Sequence, residues 1–281
     1  MPQIVYNGKI LDAATPLVTA ASRALRYGDG IFETIKMTGG RLRFARQHFD
    51  RLWLGMHLLG IECPAHLTPA RLEAFILQLA EKNGLEGRSR IRINIFRGEG
   101  GLFDPITNQG QYIIEAMPLP ATAGEMNQNG LVLGIYHGLT KPTGPISNLK
   151  HNNCLPYILG AREAGRQHWN DAIILNPEGR VCETTIANIF CIKNNCIFTP
   201  ALGEGCVAGI TRQLLLDHLP GLGWETTEQP VTPEMLLDAD EVLLTNSIHE
   251  IRWVKEIENR NYSNAICSKI YQALMPTISA G

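Results

Sequence analysis

From Arg90 to Phe96 the chain alternates without a break: Ile91, Ile93 and Ile95 fall on one side, and Arg90, Arg92 and Asn94 on the other. Strict period-two alternation marks a strand that is half buried, with one face in a core and the other polar. Two helical patterns upstream bracket a two-helix layer. Ala45 to Leu59 carries apolar residues at helical spacing, and a second helix begins with Thr68 as cap and Pro69 at its first position and ends before Gly84. Asn7-Gly8 between Ile4–Tyr6 and Ile10–Leu11 predicts an opening hairpin, because both residues tolerate the positive φ of a type I′ turn. Ile31–Lys36 is a further extended run that stops at Gly39-Gly40, and Tyr112–Ala116 is a partner strand.

Between Met117 and Gly130 the sequence MPLPATAGEMNQNG loses its periodicity and turns rich in Pro, Gly and polar residues, as a connector does. The expected organisation is a small N-terminal α+β domain over 1–117, a connector at 118–130 and a larger C-terminal α+β domain over 131–281 that carries Lys150. In that second half, strands are predicted at Leu131–His137, Ala172–Leu175, Ala187–Ile192, Cys196–Phe198 and Val242–Thr245, with Asn194-Asn195 as a hairpin turn. Helices are predicted from about Asn152 to Ala164, after Gly209-Ile210-Thr211-Arg212, and near Ile266–Met275. Strands and helices mix without regular βαβ alternation, so the fold class is α+β and not a doubly wound sheet.

With 25 Lys+Arg against 27 Asp+Glu, the net charge of -2 offers no electrostatic footprint for nucleic acid or an anionic membrane. No run approaches the roughly 18 apolar residues of a bilayer span, and the start MPQIVYNGKILD lacks the basic-then-apolar order of an export signal. Seven cysteines without a Cys-x-x-Cys pair fit reduced thiols, so the expected compartment is the cytoplasm. His-Glu-x-x-His, Gly-x-Gly-x-x-Gly, a phosphate loop and Gly-x-Ser-x-Gly are all missing, which leaves zinc, dinucleotide, nucleotide and hydrolase chemistry without an anchor and predicts no metal.

Three local features remain. Lys150, in Ser147-Asn148-Leu149-Lys150-His151-Asn152-Asn153, follows a Gly/Pro loop at the predicted start of a helix, where a cation is disfavoured by the dipole. A lysine kept neutral by its surroundings is a nucleophile that forms an imine with a carbonyl, although most lysines are simply solvated. Gly209-Ile210-Thr211 opens a helix whose N–H groups and hydroxyl suit a phosphate, the plain alternative being Thr211 as an ordinary cap. Glu183 leads into an apolar strand and, alone, could be a turn residue. An imine lysine, a carboxylate for a pyridinium nitrogen and a phosphate cradle together are what pyridoxal phosphate requires.

At these residues the chain resembles the class IV aminotransferases, the fold-type IV pyridoxal phosphate enzymes that include branched-chain aminotransferases, D-amino acid aminotransferases and aminodeoxychorismate lyases. The likeness runs through Arg26-Tyr27-Gly28-Asp29-Gly30-Ile31-Phe32-Glu33-Thr34, His48-Phe49-Asp50-Arg51-Leu52, the Lys150 segment, Glu183-Thr184-Thr185 with Ala187-Asn188, and Gly209-Ile210-Thr211-Arg212. It implies two α+β domains of the D-amino acid aminotransferase type in a homodimer. It also implies that Lys150 is the imine lysine and proton carrier, that Glu183 pairs with the pyridine nitrogen, and that Arg51, Ile210 and Thr211 hold the phosphate beside Gly209. Asn188 is implied in the cofactor shell, and Ser247 in a hydroxyl contact to the phosphate, with the amides of Ile248 and His249 facing the substrate carboxylate.

For the substrate, D-amino acid aminotransferases carry an Arg and a His after the Arg-Gly strand end, and the lyases an Arg; here Leu102 and Asp104 stand in those places. A leucine cannot hold a carboxylate and an aspartate repels one. Arg92 aligns with an arginine of branched-chain enzymes, and Tyr27 and Phe32 resemble pocket walls for apolar side chains. The Thr245-Asn246-Ser247 loop looks more like the lyases, and Cys154 stands where relatives often carry a tyrosine. The expectation is transamination between an apolar L-amino acid and 2-oxoglutarate, with the lyase and D-amino acid readings as alternatives.

Overall fold

The computed structural model describes residues 1–280, with side chains through Ile278. Its contacts divide the chain into two compact units, one of residues 1–120 with 149–153, the other of 121–148 with 154 onward.

The first unit is built from β1 (Gln3–Tyr6), β2 (Lys9–Asp12), α1 (Arg23–Tyr27), β3 (Gly30–Thr38), β4 (Arg41–Leu42), α2 (Ala45–Leu58), α3 (Pro69–Lys82), β5 (Arg88–Arg97) and β6 (Gly110–Pro118). The six strands form one antiparallel sheet in the order β2-β1-β6-β5-β3-β4. The predicted hairpin is present, with Asn7 at φ 47 and Gly8 at φ 81. Ile91, Ile93 and Ile95 point inward as their alternation requires, and form a core with Ile35 and Met37 of β3, Leu52 and Met56 of α2, and Leu72, Ile76 and Leu79 of α3. Thr68 caps α3 by accepting from the Arg71 N–H at 3.2 Å, ahead of Pro69.

The outer edge of β3 is closed twice. β4 covers its last two residues, and the segment 149–153 covers its beginning: the Phe32 N–H donates to Lys150 O at 2.9 Å and the Asn152 N–H to Gly30 O at 2.9 Å, with Ile31 and His151 bridged antiparallel. The sequence predicts a helix from about Asn152, but α4 runs Leu155–Gln167. The backbone of residues 150–152 is spent on β3, and Pro156 suits the first helical turn. Lys150 therefore lies on an extended segment of the first unit; it is not at a helix mouth, and it does not belong with the second domain.

The second unit comprises β7 (Leu131–Tyr136), α4, β8 (Asp171–Leu175), β9 (Val181–Thr184), β10 (Asn188–Lys193), β11 (Cys196–Pro200), α5 (Ile210–His218), β12 (Thr226–Gln229), α6 (Pro233–Asp238), β13 (Glu241–Asn246), β14 (Glu250–Ile257), β15 (Arg260–Asn261) and α7 (Ala265–Ala280). Its sheet is mixed, ordered β12-β11-β10-β13-β14-β7-β8-β9 with β15 beside β14, and the β11/β12, β14/β7 and β7/β8 pairs are parallel. Strands β9 and β14 and the short helix α6 carry no clear periodicity and were not predicted. Every residue of β8 is buried, as expected of a strand covered on both faces. Buried Glu241 accepts from the Ile266 and Cys267 N–H groups at 2.8–3.0 Å, anchoring the positive end of α7. Among the described residues all seven cysteines are free thiols, and no helix is long and apolar enough to cross a membrane.

One close approach sets a sharp test. A Cβ on Gly55 of α2 would lie 1.9 Å from Ile31 Cδ1, in a site where Ile31 is 1% exposed. In a helix interior Gly→Ala ordinarily stabilises by about 1 kcal/mol. Here Gly55→Ala should instead destabilise by about 1–3 kcal/mol through overpacking, and adding Ile31→Val, which removes the offending methyl, should restore most of the loss. Urea denaturation of the two variants measures both effects.

Candidate active site

In the first unit, Phe32 sits on the outward face of β3, across from Asn94 of β5. Two cations stand over its ring, Arg92 with Cζ 4.1 Å and Lys150 with Nζ 4.6 Å from the centroid. The negative face of an aromatic ring attracts both. The Asn152 side chain donates to Asn94 Oδ1 at 2.9 Å, tying the lysine segment to the same strand pair. Phe32, Arg92 and Lys150, predicted separately, are thus brought together. Tyr27, at the end of α1, packs against Phe103 with ring centroids 5.8 Å apart and lies under the Arg23 guanidinium.

Glu33 is the anomaly of β3, because alternation puts its carboxylate on the inner face among isoleucines, where it is 1% exposed. Helix α2 answers it with two residues one turn apart. His48 Nδ1 lies 2.7 Å from Glu33 Oε2, and Arg51 donates through Nε to Oε1 at 2.7 Å and Nη2 to Oε2 at 2.8 Å. Burial alone would raise the Glu33 pKa, but the Arg51 and His48 charges and hydrogen bonds outweigh it and hold the carboxyl at about 2. Burial, with the nearby Arg51 and Lys150 charges, pushes the His48 imidazole down despite Glu33. Arg51, predicted as a phosphate ligand, has two of its N–H groups committed to Glu33.

In the second unit, Glu183 of β9 is 4% exposed and gathers four donors. Lys141 Nζ and the Tyr157 hydroxyl reach Oε1, each at 2.7 Å, and the Val207 N–H and Asn188 Nδ2 reach Oε2 at 3.0 and 3.2 Å. Asn188 also donates to Val207 O at 2.9 Å. Gly209 makes room for it, since a Cβ there would fall 1.9 Å from Asn188 Oδ1. Gly209 is also the N-cap of α5, with no side-chain cap, so Thr211 is a first-turn residue and not the cap. The first i→i−4 bond of α5 is Gln213 N–H to Gly209 O, so the N–H groups of Ile210 and Thr211 precede it, the arrangement that suits an anion. Arg212, 2% exposed, fastens α5 by donating to Pro200 O at 2.9 Å and to Glu228.

Ser247 lies half-buried in the turn after β13. The amides of Ile248 and His249, expected to face a substrate carboxylate, both donate to Asn246 Oδ1, at 3.0 and 2.7 Å. An asparagine that starts a tight turn bonds the amides just ahead of it, and this one consumes the two expected for a carboxylate. Thr245, paired across the sheet with Asn188, is 1% exposed, and its Oγ1 has no hydrogen-bond partner among the described residues. An orphaned hydroxyl beside Asn188, a buried carboxylate and an uncapped helix start fit the hydroxyl, ring nitrogen and phosphate demands of pyridoxal phosphate.

Prediction from sequence missed Glu33 and His48 as functional partners, and also Lys141 and Tyr157. Glu33 was detectable, since it is a charge in phase with buried isoleucines opposite a helix with His and Arg three apart. Lys141 and Tyr157 meet Glu183 across 42 and 26 residues, a distance over which no local pattern signals a pair.

Residues 30–257 match the family described as amino-transferase class IV. An aminodeoxychorismate lyase of Vibrio harveyi is 32% identical over 234 residues, covering 82% of this chain and 84% of the relative. The crystal structure of the branched-chain aminotransferase of the archaeon Thermoproteus uzoniensis with norvaline superposes with a TM-score of 0.88 at 25% identity, covering 99% of this chain and 94% of that one. The branched-chain amino acid aminotransferase of T.th. with pyridoxamine 5'-phosphate matches in fold with a TM-score of 0.88 at 23% identity, over 99% and 94% of the two chains.

The Glu33 cluster makes stability depend on pH. Its folded pKa of about 2 lies below the ordinary 4.5, so the stabilisation is whole above about pH 5 and is lost as pH falls toward 2. The shift corresponds to about 3 kcal/mol. Glu33→Gln should be less stable than wild type by that order at pH 7, with the gap closing between pH 5 and pH 2. Parallel pH-stability curves in guanidinium titrations would count against this account.

Proposed function

Since the chain belongs to the class IV aminotransferases, a family of pyridoxal phosphate enzymes, we propose that it moves an amino group between an apolar, branched-chain-like L-amino acid and 2-oxoglutarate. The observation that carries this reading is the Phe32 ring with the Lys150 amine and the Arg92 guanidinium over it. An apolar wall receives an aliphatic side chain, and the cation beside it receives the distal carboxylate of the acceptor. The same place can then serve two substrates of unlike polarity.

Pyridoxal phosphate, when bound, supplies an electron sink that weakens the Cα–H bond of an amino acid. The protein's residues supply the rest. With the cofactor bound, Lys150 would carry the proton between Cα and C4′, its amine serving as a base and then as an acid. Glu183, held by Lys141 at 2.7 Å, would accept from the ring nitrogen. Ile210 and Thr211 at the start of α5, with Ser247, would hold the phosphate; Arg51, which the family resemblance assigns to the same group, has its guanidinium fixed in one orientation by Glu33. Tyr27 and Phe32 form the apolar wall. The family resemblance supports a homodimer, and so does the exposed apolar loop tip of Leu102, Phe103 and Ile106, at 74%, 90% and 79% exposure. The seven free thiols support a reducing, cytoplasmic setting.

A second reading, an aminodeoxychorismate lyase that releases pyruvate, is supported by the Vibrio harveyi relative and by the Thr245-Asn246-Ser247 turn. Leucine, D-alanine and aminodeoxychorismate offered separately to the loaded protein decide the matter. Conversion of the cofactor to its amine form by leucine is expected, whereas pyruvate from aminodeoxychorismate alone would establish the lyase. Arg92→Leu should raise the KM for 2-oxoglutarate about tenfold to a hundredfold, the worth of a charged hydrogen bond, and leave the leucine half-reaction within about twofold. Stopped-flow measurement of the two half-reactions separates these effects.

A further inference from the structure

The four donors on Glu183 raise a problem of capacity. A carboxylate offers about four lone-pair positions, and Lys141, Tyr157, Val207 and Asn188 occupy them. A fifth donor, such as the N–H of a protonated heteroaromatic ring, can reach Glu183 only if one of the four withdraws. Three are held in place. Lys141 is a buried ammonium, with side-chain exposures of 4% and 5% for it and Glu183, and separating them would strand two charges. The Val207 N–H belongs to the backbone, and its own carbonyl is bound by Asn188. Asn188 is wedged beside Gly209. Tyr157 differs: it is neutral and half-buried, and sits in the first turn of α4.

Resting on the cofactor reading above, we propose that Tyr157 is a positioning residue that holds the Glu183 carboxylate aligned in the cofactor-free protein and cedes its hydrogen bond to the ring nitrogen when pyridoxal phosphate binds. Burial, reinforced by the Glu183 charge, pushes the phenol well above its ordinary range, so the hydroxyl always donates and never competes as an anion. Its withdrawal leaves no unpaired charge. Lys141, whose Nζ lies 5.4 Å from the centre of the Tyr157 ring, stays on Glu183 throughout. Tyr157 thus keeps the acceptor turned toward the incoming ring while giving up the one bond the ring needs.

The test uses the full chain, stripped of cofactor and reloaded, as wild type and as Tyr157→Phe, with Tyr157→Met in reserve should the first fail to fold. Equilibrium binding of pyridoxal phosphate should tighten about threefold to tenfold in Tyr157→Phe, because no donor is left to displace. The Tm of the stripped variant should drop while that of the loaded variant stays near wild type, and 15N NMR of labelled cofactor should show the ring nitrogen still protonated. A merely structural role would lower both Tm values together. Unchanged or weaker binding in the variant overturns the assignment of Tyr157 and leaves the cofactor reading standing. If wild type itself takes up no pyridoxal phosphate that borohydride fixes to Lys150, the cofactor reading falls and this inference falls with it.

Discussion

A charge buried on the wrong face of a strand organises the first unit. Glu33 points into a layer of isoleucines, a position no carboxylate holds without donors. Helix α2 therefore has to lie where His48 and Arg51 both reach it, which sets the helix in rotation and in height against β3. Once that is set, Gly55 falls opposite Ile31, and the smallest residue is the only one that fits. The outward face of β3 is then left for Phe32, and its edge for the segment that carries Lys150. The two faces of β3 thus differ, the inner one packed against α2 and the outer one carrying Phe32 under two cations.

The second unit solves the same electrostatic problem by other means. Glu33 is satisfied largely by two residues of one helix, so its partners are close in sequence and move as a body. Glu183 is satisfied by Lys141, Tyr157, Asn188 and Val207, drawn from the loop after β7, from α4, from β10 and from the turn before α5. The first arrangement is a fastening. The second resembles a converging set of supports, in which one member can leave while the others hold.

Much of this was readable in the residues themselves. The alternation at Arg90–Phe96, the Thr68-Pro69 helix start and the Asn-Gly turn follow from local stereochemistry, and the structure bears them out. Lys150, Glu183 and Thr211 stood out because their residue types matched one chemistry. The helix expected from about Asn152 starts instead at Leu155, because the backbone before it is already paired with β3, a contact no local pattern encodes. The bonds from the Ile248 and His249 amides to Asn246 Oδ1 are a second contact that residue type alone does not announce. Lys141 and Tyr157 could not be seen at all, because their significance lies only in what they meet.

The route of the chain through residues 149–153 has a consequence for how the protein is made. The opening of β3 is left without its edge partner until a stretch that follows β7, and so belongs in sequence to the other unit, has been synthesised. A ribosome that has released only the first 120 residues therefore holds a sheet with one bare edge at Gly30–Phe32, beside the buried acid. Closure of that edge and the arrival of Lys150 beside Phe32 are one event. A nascent chain that ends before this segment has neither, and one that has just passed it completes the first sheet while most strands of the second are still unmade.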